Sequence, residues 1–183
     1  MGEEKEPHLT LRSPRLERKF RKLFAAGYEV TSPDDPTYNC IAWAAHDMQH
    51  RWWPDNPNMY WPHWMGRIVK PKSTIECFVQ SFHLLGYVTC GDSRLERRYE
   101  KVALYAVGDS PKHMARQLPD GNWTSKLGIF GEDITHYTLD AIEEYGPEPI
   151  YAEYGAPVAF MKRHVIVSWV VRRIQSLLWK LES

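Results

Sequence analysis

A segment of aromatic residues broken by prolines constrains the fold of this chain more than any other feature. Residues 51–72 include the runs WWPDNP and YWP, with one further proline near the end of the segment. Proline lacks the backbone donor and clashes with the preceding helical turn, so neither a helix nor a central strand can run through this spacing. We therefore predict a long ordered loop over residues 51–72.

Helical patterns occur on both sides of this loop. Ser13 followed by Pro14 is typical of a helix start, and Gly27 is typical of a stop, which predicts a helix over 14–26. The run CIAWAAH is short and alanine-rich, and it predicts a helix that begins at or near Cys40. A capping box in the run STIE predicts a further helix over 73–85.

The second half of the chain has mainly strand patterns. The run PDG between two alternating segments is a strong hairpin signal. We predict a helix over 133–144 and another over 163–181. The predicted strands cover residues 87–90, 101–107, 112–118, 122–127 and 157–161. Together these elements predict an α+β fold with an antiparallel meander.

Composition excludes several classes of protein. The 183 residues carry 23 basic and 23 acidic side chains, so the basic surplus of a nucleic-acid binder is missing. Three cysteines without a CxxC motif indicate free thiols in a reducing compartment. The N-terminus lacks the apolar region of a signal peptide and no apolar run spans a membrane, which predicts a cytoplasmic protein. No pattern calls for a cofactor.

Cys40 is the strongest chemical candidate. A thiol at a helix N-terminus faces unpaired backbone N–H groups, which favour the thiolate and lower its pKa. The same backbone groups, with Asn39 or Tyr38, could stabilise an oxyanion. His113, in a predicted strand, is the best candidate for the general base. The alternative for Cys40 is a packing role in the core, because free cysteine is among the most buried residue types.

The order of these residues resembles a known family. The segments YNCIAWA and KVALYAVGDSPKHMARQLPDGNWTSKLG resemble the papain-like fold over about residues 28–160, in particular the bacterial NlpC/P60 amidases and peptidases, and also an uncharacterised bacterial domain family. The resemblance implies a Cys-bearing helix packed on a small antiparallel sheet. It also implies a thiol protease or related hydrolase or acyl transferase, acting on an amide or isopeptide bond through a Cys–His centre.

The resemblance further implies a third polar residue that orients the imidazole. If the residues directly flanking the PDG turn pair with each other, His113 lies diagonal to Ser125 on the same face of the hairpin. A register one residue away would bring Thr124 and Lys126 to that face instead. Asp133 is the charged alternative, although it could equally be the N-cap of the helix predicted over 133–144.

Aromatic and histidine clusters suggest further sites. Aromatic faces bind sugars and peptides, so the tryptophans could form a substrate platform, or else a lid that covers the core. The candidates for the platform are Trp52, Trp53, Trp61 and Trp123. His46 and His50 have the spacing of a zinc pair, but the glutamate of a metalloprotease motif is missing, so we predict no metal site.

The C-terminal pattern predicts an amphipathic helix over 163–181. Its apolar stripe lies opposite several arginines, and it could pack on its own domain, on a partner, on a second copy or on a membrane surface. We therefore divide the chain into a flexible segment 1–13, a catalytic domain 14–162 and a terminal helix 163–183. The alternative function is a non-catalytic binding module that uses the tryptophan loop and this helix.

Overall fold

The computed structural model describes residues 12–128, 131–143 and 154–182, and the side chains of the last helix only as far as Ile174, without Arg172. The helices are α1 (Pro14–Lys19), α2 (Arg21–Ala26), α3 (Cys40–Ala44), α4 (His63–Gly66), α5 (Ile75–Leu84) and α6 (Val165–Glu182), with a 3-10 helix at Leu139–Ile142. The strands are β1 (Tyr28–Val30), β2 (Val88–Cys90), β3 (Tyr99–Val107), β4 (Ser110–Gln117), β5 (Trp123–Lys126), β6 (Asp133–His136) and β7 (Ala156–His164).

The described strands form one antiparallel sheet of seven strands. Their order is β1-β6-β5-β4-β3-β7-β2, so β4 lies at the centre. The sheet and its flanking helices confirm the predicted α+β class. The N-terminal segment predicted over 1–13 falls outside the described residues except at its end. At the other end, the predicted boundary at residue 162 lies inside β7.

The β4–β5 hairpin has the register that the PDG turn predicts. Gln117 pairs with Trp123, and Arg116 pairs with Thr124. The turn is closed by a hydrogen bond from the Leu118 N–H to the Asn122 carbonyl, at 2.7 Å. This register brings His113 and Ser125 onto the same face of the sheet.

The N-terminal helical pattern forms two short helices. Ser13 caps α1 and Gly27 ends α2 at a φ of 84°, as predicted. Phe20 interrupts the pattern with an extended backbone (φ −109°, ψ 91°). Its ring is buried and packs 5.5 Å from the ring of Tyr154 in the same hydrophobic core.

The prediction of a helix over 133–144 is wrong for the described residues. Residues Asp133–His136 form β6, which pairs with both β5 and β1, and a 3-10 helix follows. Two β-branched residues, Ile134 and Thr135, favour the extended conformation between two available partners. Asp133 is therefore the first residue of a strand and not the N-cap of a helix. The end of the predicted helix, at residue 144, lies outside the described residues.

The predicted loop over 51–72 contains more local structure than its prolines suggest. Trp52 and Tyr60 form an isolated bridge, and α4 follows Pro62. The next helix, α5, is capped by Thr74, whose side chain accepts from the Cys77 N–H, one residue later than the predicted box. The hydroxyl of Ser73 contacts Asp55 and Trp53, so it holds the loop against the start of α5.

The sheet separates two hydrophobic cores. Alternate residues of β3 point to opposite sides, so Val102 belongs to the first core and Ala103 to the second. The first core includes residues of α3, α5 and the aromatic loop, and the second includes residues of α1 and α2. Both cores reach β4, since Met114 lies in the first and Ala115 in the second.

The terminal helix α6 exposes apolar side chains. Ile166 is 66% exposed, Trp169 58% and Ile174 50%, whereas Ser168 is buried against the sheet. The leucines of the predicted apolar stripe, Leu177, Leu178 and Leu181, lie outside the described side chains. Throughout the described segments, no helix combines the length and apolar character needed to cross a membrane.

Candidate functional site

Cys40 is the first residue of α3, as the sequence predicts. Asn39 caps the helix, because its side-chain oxygen accepts from the Ala42 N–H at 3.2 Å. The same oxygen accepts from the Trp52 N–H at 3.0 Å, and the amide nitrogen donates to the Trp52 carbonyl at 2.8 Å. Asn39 therefore fixes the start of α3 and ties it to the aromatic loop. These contacts differ from the predicted role of its side chain as an oxyanion donor.

The Cys40 thiol is buried, and three backbone N–H groups face it. They belong to Met114 of β4 and to Ile41 and Cys40 itself, and they favour the thiolate. Burial has the larger effect and raises the pKa of the thiol to about 11, because it removes the water that would solvate a thiolate. The pKa is thus raised, where the helix N-terminus alone predicts that it is lowered.

His113 is fully buried and directly precedes Met114 in β4. Its Nε2 lies 3.1 Å from the hydroxyl oxygen of Ser125, so the predicted pairing of these two residues is present. Its ring stacks on Tyr154 and meets Tyr105 edge to face. Burial, with a smaller effect of the nearby His136, lowers the pKa of His113 well below 6.5. The imidazole is therefore neutral at neutral pH.

The Cys40 thiol faces the backbone of β4 next to His113 in sequence. Met114, whose N–H faces the thiol, directly follows His113 in the strand. Tyr154 contacts His113, and a charge on Cys40 adds to the burial that raises the pKa of Tyr154. Among the residues that the structure describes, Nδ1 of His113 has no hydrogen-bond partner, so no hydrogen bond joins it to the thiol.

His136 extends this arrangement, and it was not among the site residues predicted from the sequence. Its Nε2 lies 2.9 Å from the hydroxyl oxygen of Ser125, and its Nδ1 lies 2.8 Å from the carbonyl oxygen of Thr138. Ser125 thus bridges two histidines that are 23 positions apart in the sequence. Strand alternation through the run DITH, together with a correct β5–β6 pairing, would have been needed to find this contact.

Two other predicted site residues bind each other. The hydroxyl of Tyr38 donates to a carboxylate oxygen of Asp133 at 2.6 Å. Asp133 also accepts from the Ser32 hydroxyl at 2.9 Å and lies 3.7 Å from the Lys126 ammonium. These contacts tie the segment before α3 to β6. They occupy the Tyr38 hydroxyl and the Asp133 carboxylate with each other and not with His113.

The prediction of a tryptophan platform is wrong for three of its four residues, because these side chains are buried. Trp52 is fully buried and donates to Asp47 at 2.7 Å, while Trp61 and Trp123 are 9% and 3% exposed. These three side chains belong to the cores and offer little surface to a substrate. Trp53 differs, because it is partly exposed and lines a pocket beside Cys40.

This pocket has a volume of about 580 Å³ and gives the neighbourhood of the thiol an opening to solvent. Arg51 and Lys112 lie at its wall, with Asp34 as an opposite charge. Its lining includes Tyr38, Cys40, Arg51, Trp53, Lys112 and Tyr154.

The histidine pair after α3 has other partners. The helix ends at Ala44, so His46 and His50 do not share a helix face. His46 lies 2.7 Å from Glu100, and His50 lies 2.8 Å from Asp47. In the part of the chain that the structure describes, no three acidic, cysteine or histidine side chains are grouped so as to hold a metal ion.

Fold and site together define an α+β protein with a buried thiol at the start of α3 and two buried histidines that Ser125 bridges. The chain belongs to the DUF7689 family, a domain of unknown function, whose family model matches residues 29–162. No curated protein matches the chain. No solved structure matches it either.

Proposed function

We propose that this protein is a cysteine hydrolase or acyl transferase that acts on amide or isopeptide bonds, with a papain-like arrangement related to that of the NlpC/P60 enzymes. One observation carries the proposal. The Cys40 thiol lies at a helix N-terminus and faces the backbone N–H of Met114, the residue that follows the buried His113, and Nε2 of His113 contacts Ser125. A cysteine that only fills space in the core would need neither backbone N–H donors at its sulfur nor an oriented imidazole.

Each group has a role in the proposed reaction. The Cys40 sulfur bonds to the substrate carbonyl carbon while Nδ1 of His113 takes the thiol proton. His113 returns that proton to the departing amine as the carbon–nitrogen bond breaks. Water, or an acceptor amine, then attacks the thioester with His113 again as base, and the sulfur regains a proton. The backbone N–H groups of Cys40 and Met114 stabilise the oxyanion.

The protonation states favour a concerted start to this reaction. Burial raises the pKa of Cys40 and lowers that of His113, so thiol and imidazole are both neutral at neutral pH. A preformed thiolate–imidazolium pair is therefore absent before substrate binds. Proton transfer and attack on the carbonyl then occur together, when the substrate has displaced water from the pocket.

Hydrolysis of p-nitrophenyl acetate, an activated ester, tests the proposal without knowledge of the natural substrate. Cys40→Ala and His113→Ala should each abolish thiol-dependent turnover. The double variant should be little worse than either single variant, because the two residues act as a unit. Cys90→Ala is the matched control and should keep full activity. Full activity in Cys40→Ala would overturn the proposal.

A second candidate function is a non-catalytic interaction module. It is favoured by α6, where Ile166, Trp169 and Ile174 expose an apolar surface that a soluble chain seldom leaves bare. Removal of residues 169–183 should then leave ester hydrolysis measurable and change either sedimentation or binding to vesicles. Wild-type protein without turnover, but with altered association on truncation, would favour this module over the enzyme.

A further inference from the structure

We propose that His136 is a positioning residue that acts through Ser125 to keep the proton of His113 on Nε2 and its lone pair on Nδ1. The catalytic consequence of this inference rests on the proposed function, because the lone pair on Nδ1 is the base for Cys40. The protonation pattern itself follows from the described contacts alone. It can be measured whether or not the protein is an enzyme.

The direction of the hydrogen bonds is set at Thr138. Its carbonyl oxygen can only accept, so Nδ1 of His136, 2.8 Å away, carries a hydrogen and donates it. A neutral imidazole has a single N–H, so Nε2 of His136 holds a lone pair. That nitrogen must therefore accept from the Ser125 hydroxyl, 2.9 Å away.

Ser125 transmits this direction to His113. A hydroxyl has one hydrogen, and Ser125 gives it to His136. The contact of 3.1 Å between the Ser125 oxygen and Nε2 of His113 can then be a hydrogen bond only if His113 donates. His113 is consequently protonated on Nε2, and its Nδ1 is the unprotonated nitrogen.

The surroundings keep this chain of hydrogen bonds intact. His113, Ser125 and His136 are all fully buried, so solvent does not compete for their hydrogen bonds. His136 pairs with Tyr28 of β1 and Trp123 of β5, and the charged group that acts on it is Asp140 of the 3-10 helix. Burial nevertheless lowers the pKa of His136 to about 4, so it is neutral at neutral pH.

Protonation of His136 would reverse the direction of the hydrogen bonds through Ser125. Both of its nitrogens would then donate, and the Ser125 hydroxyl would have to donate to Nε2 of His113 instead. The proton of a neutral His113 would move to Nδ1, where it could no longer accept from Cys40. A titration of His136 would thus switch off a base with which it has no direct hydrogen bond.

Nitrogen-15 NMR of the histidine side chains tests the protonation pattern directly. In the wild-type protein at pH 7, His113 should show a protonated Nε2 and an unprotonated Nδ1, and His136 the opposite. His136→Phe removes the acceptor for Ser125, so His113 should lose its single tautomer. His136→Gln keeps an acceptor and should preserve it, as should His83→Gln, a control at an exposed histidine. A wild-type His113 protonated on Nδ1 would overturn the inference.

Kinetics with p-nitrophenyl acetate test the catalytic consequence. His136→Phe should lower kcat by roughly tenfold or more with little change in KM, and His136→Gln should restore most of it. Adding His136→Phe to Ser125→Ala should cost nothing further, because the bridge is already broken. If the two substitutions lower kcat independently, so that their effects add in the double variant, the proposed action of His136 through Ser125 is overturned. If the tautomers are as inferred but no variant hydrolyses the ester, the proposed function fails while the protonation pattern stands.

Discussion

Tyr154 stacks on His113, with ring centroids 4.2 Å apart and planes inclined by 17°. Tyr154 also lines the pocket beside Cys40, whereas His113 is fully buried. The tyrosine therefore shields one face of the imidazole from solvent at the point where the pocket approaches it. This shielding contributes to the burial that keeps His113 neutral.

Removal of the Tyr154 ring should lower the stability of the fold and raise the pKa of His113. Tyr154→Ala should destabilise the fold by about 3 kcal/mol, as expected for loss of a buried aromatic side chain. It should also raise the pKa of His113 toward 6.5, because water would reach the ring. Urea unfolding and NMR titration measure the two effects. Tyr154→Phe keeps the stack and is the control, and an unchanged His113 pKa in Tyr154→Ala would contradict the shielding.

Acid should destabilise the protein before its carboxylates titrate. The folded pKa of His136 is about 4 and that of an unfolded histidine about 6.5, so the unfolded state binds more protons between these values. The contribution of His136 to the free energy of unfolding is then constant above pH 6.5 and falls as the pH decreases, by up to about 3 kcal/mol. His113, with a pKa also lowered, adds to the fall.

Urea unfolding at several pH values between 7 and 5 measures how steeply the free energy of unfolding falls as the pH decreases. His136→Gln lacks one of the two buried histidines, His113 and His136, and should give a shallower slope. A free energy of unfolding that stays constant or increases as the pH is lowered over this range would contradict the neutral, buried state of the two histidines.

Alkylation should separate Cys40 from Cys90. Cys40 is buried with a pKa raised to about 11, while Cys90 is partly exposed. Iodoacetamide at pH 8 should therefore modify Cys90 first, and the rate at Cys40 should keep rising as the pH approaches 11. Peptide mapping by mass spectrometry after timed quenching resolves the two sites. A rate at Cys40 that levels off near pH 7 would show a low-pKa thiolate instead.

The pair formed by Tyr38 and Asp133 should be structural. Tyr38→Phe removes a buried hydrogen bond and leaves the carboxylate with one partner fewer, which should cost about 1–3 kcal/mol of stability. Its kcat on p-nitrophenyl acetate should stay within a factor of about two of wild type, because the hydroxyl faces Asp133 and not the substrate. Tyr137→Phe, at an exposed tyrosine, is the matched control. A large loss of kcat would assign Tyr38 to the oxyanion site.

The sequence allowed prediction of those features that depend on local chemistry. Gly27 ends a helix because of its positive φ, Asn39 precedes the helix that starts at Cys40, and the PDG turn fixes the register that brings Ser125 to His113. Each of these signals lies within a few residues of the element that it determines. The thiol and its candidate base could be named for the same reason.

The features that the sequence did not reveal depend on distant partners. Asp133–His136 is a strand only because β1 and β5 lie on either side of it, about 100 and 10 residues away. The contact of His136 with Ser125 follows from that pairing. Trp52 and Trp123 are core residues because distant segments cover them, and the same burial raises the pKa of Cys40 against the effect of the helix N-terminus.

The most direct test of the account is to trap an acyl-enzyme. After brief exposure to p-nitrophenyl acetate and acid quenching, mass spectrometry should find an acetyl group on the Cys40 peptide, as a thioester that neutral hydroxylamine removes. The adduct should be absent in Cys40→Ala and strongly reduced in His113→Ala, while Cys90→Ala should retain it. A wild-type protein that turns over the ester with no hydroxylamine-sensitive acetyl on Cys40, or one that forms the same adduct in His113→Ala, would contradict the Cys40–His113 centre.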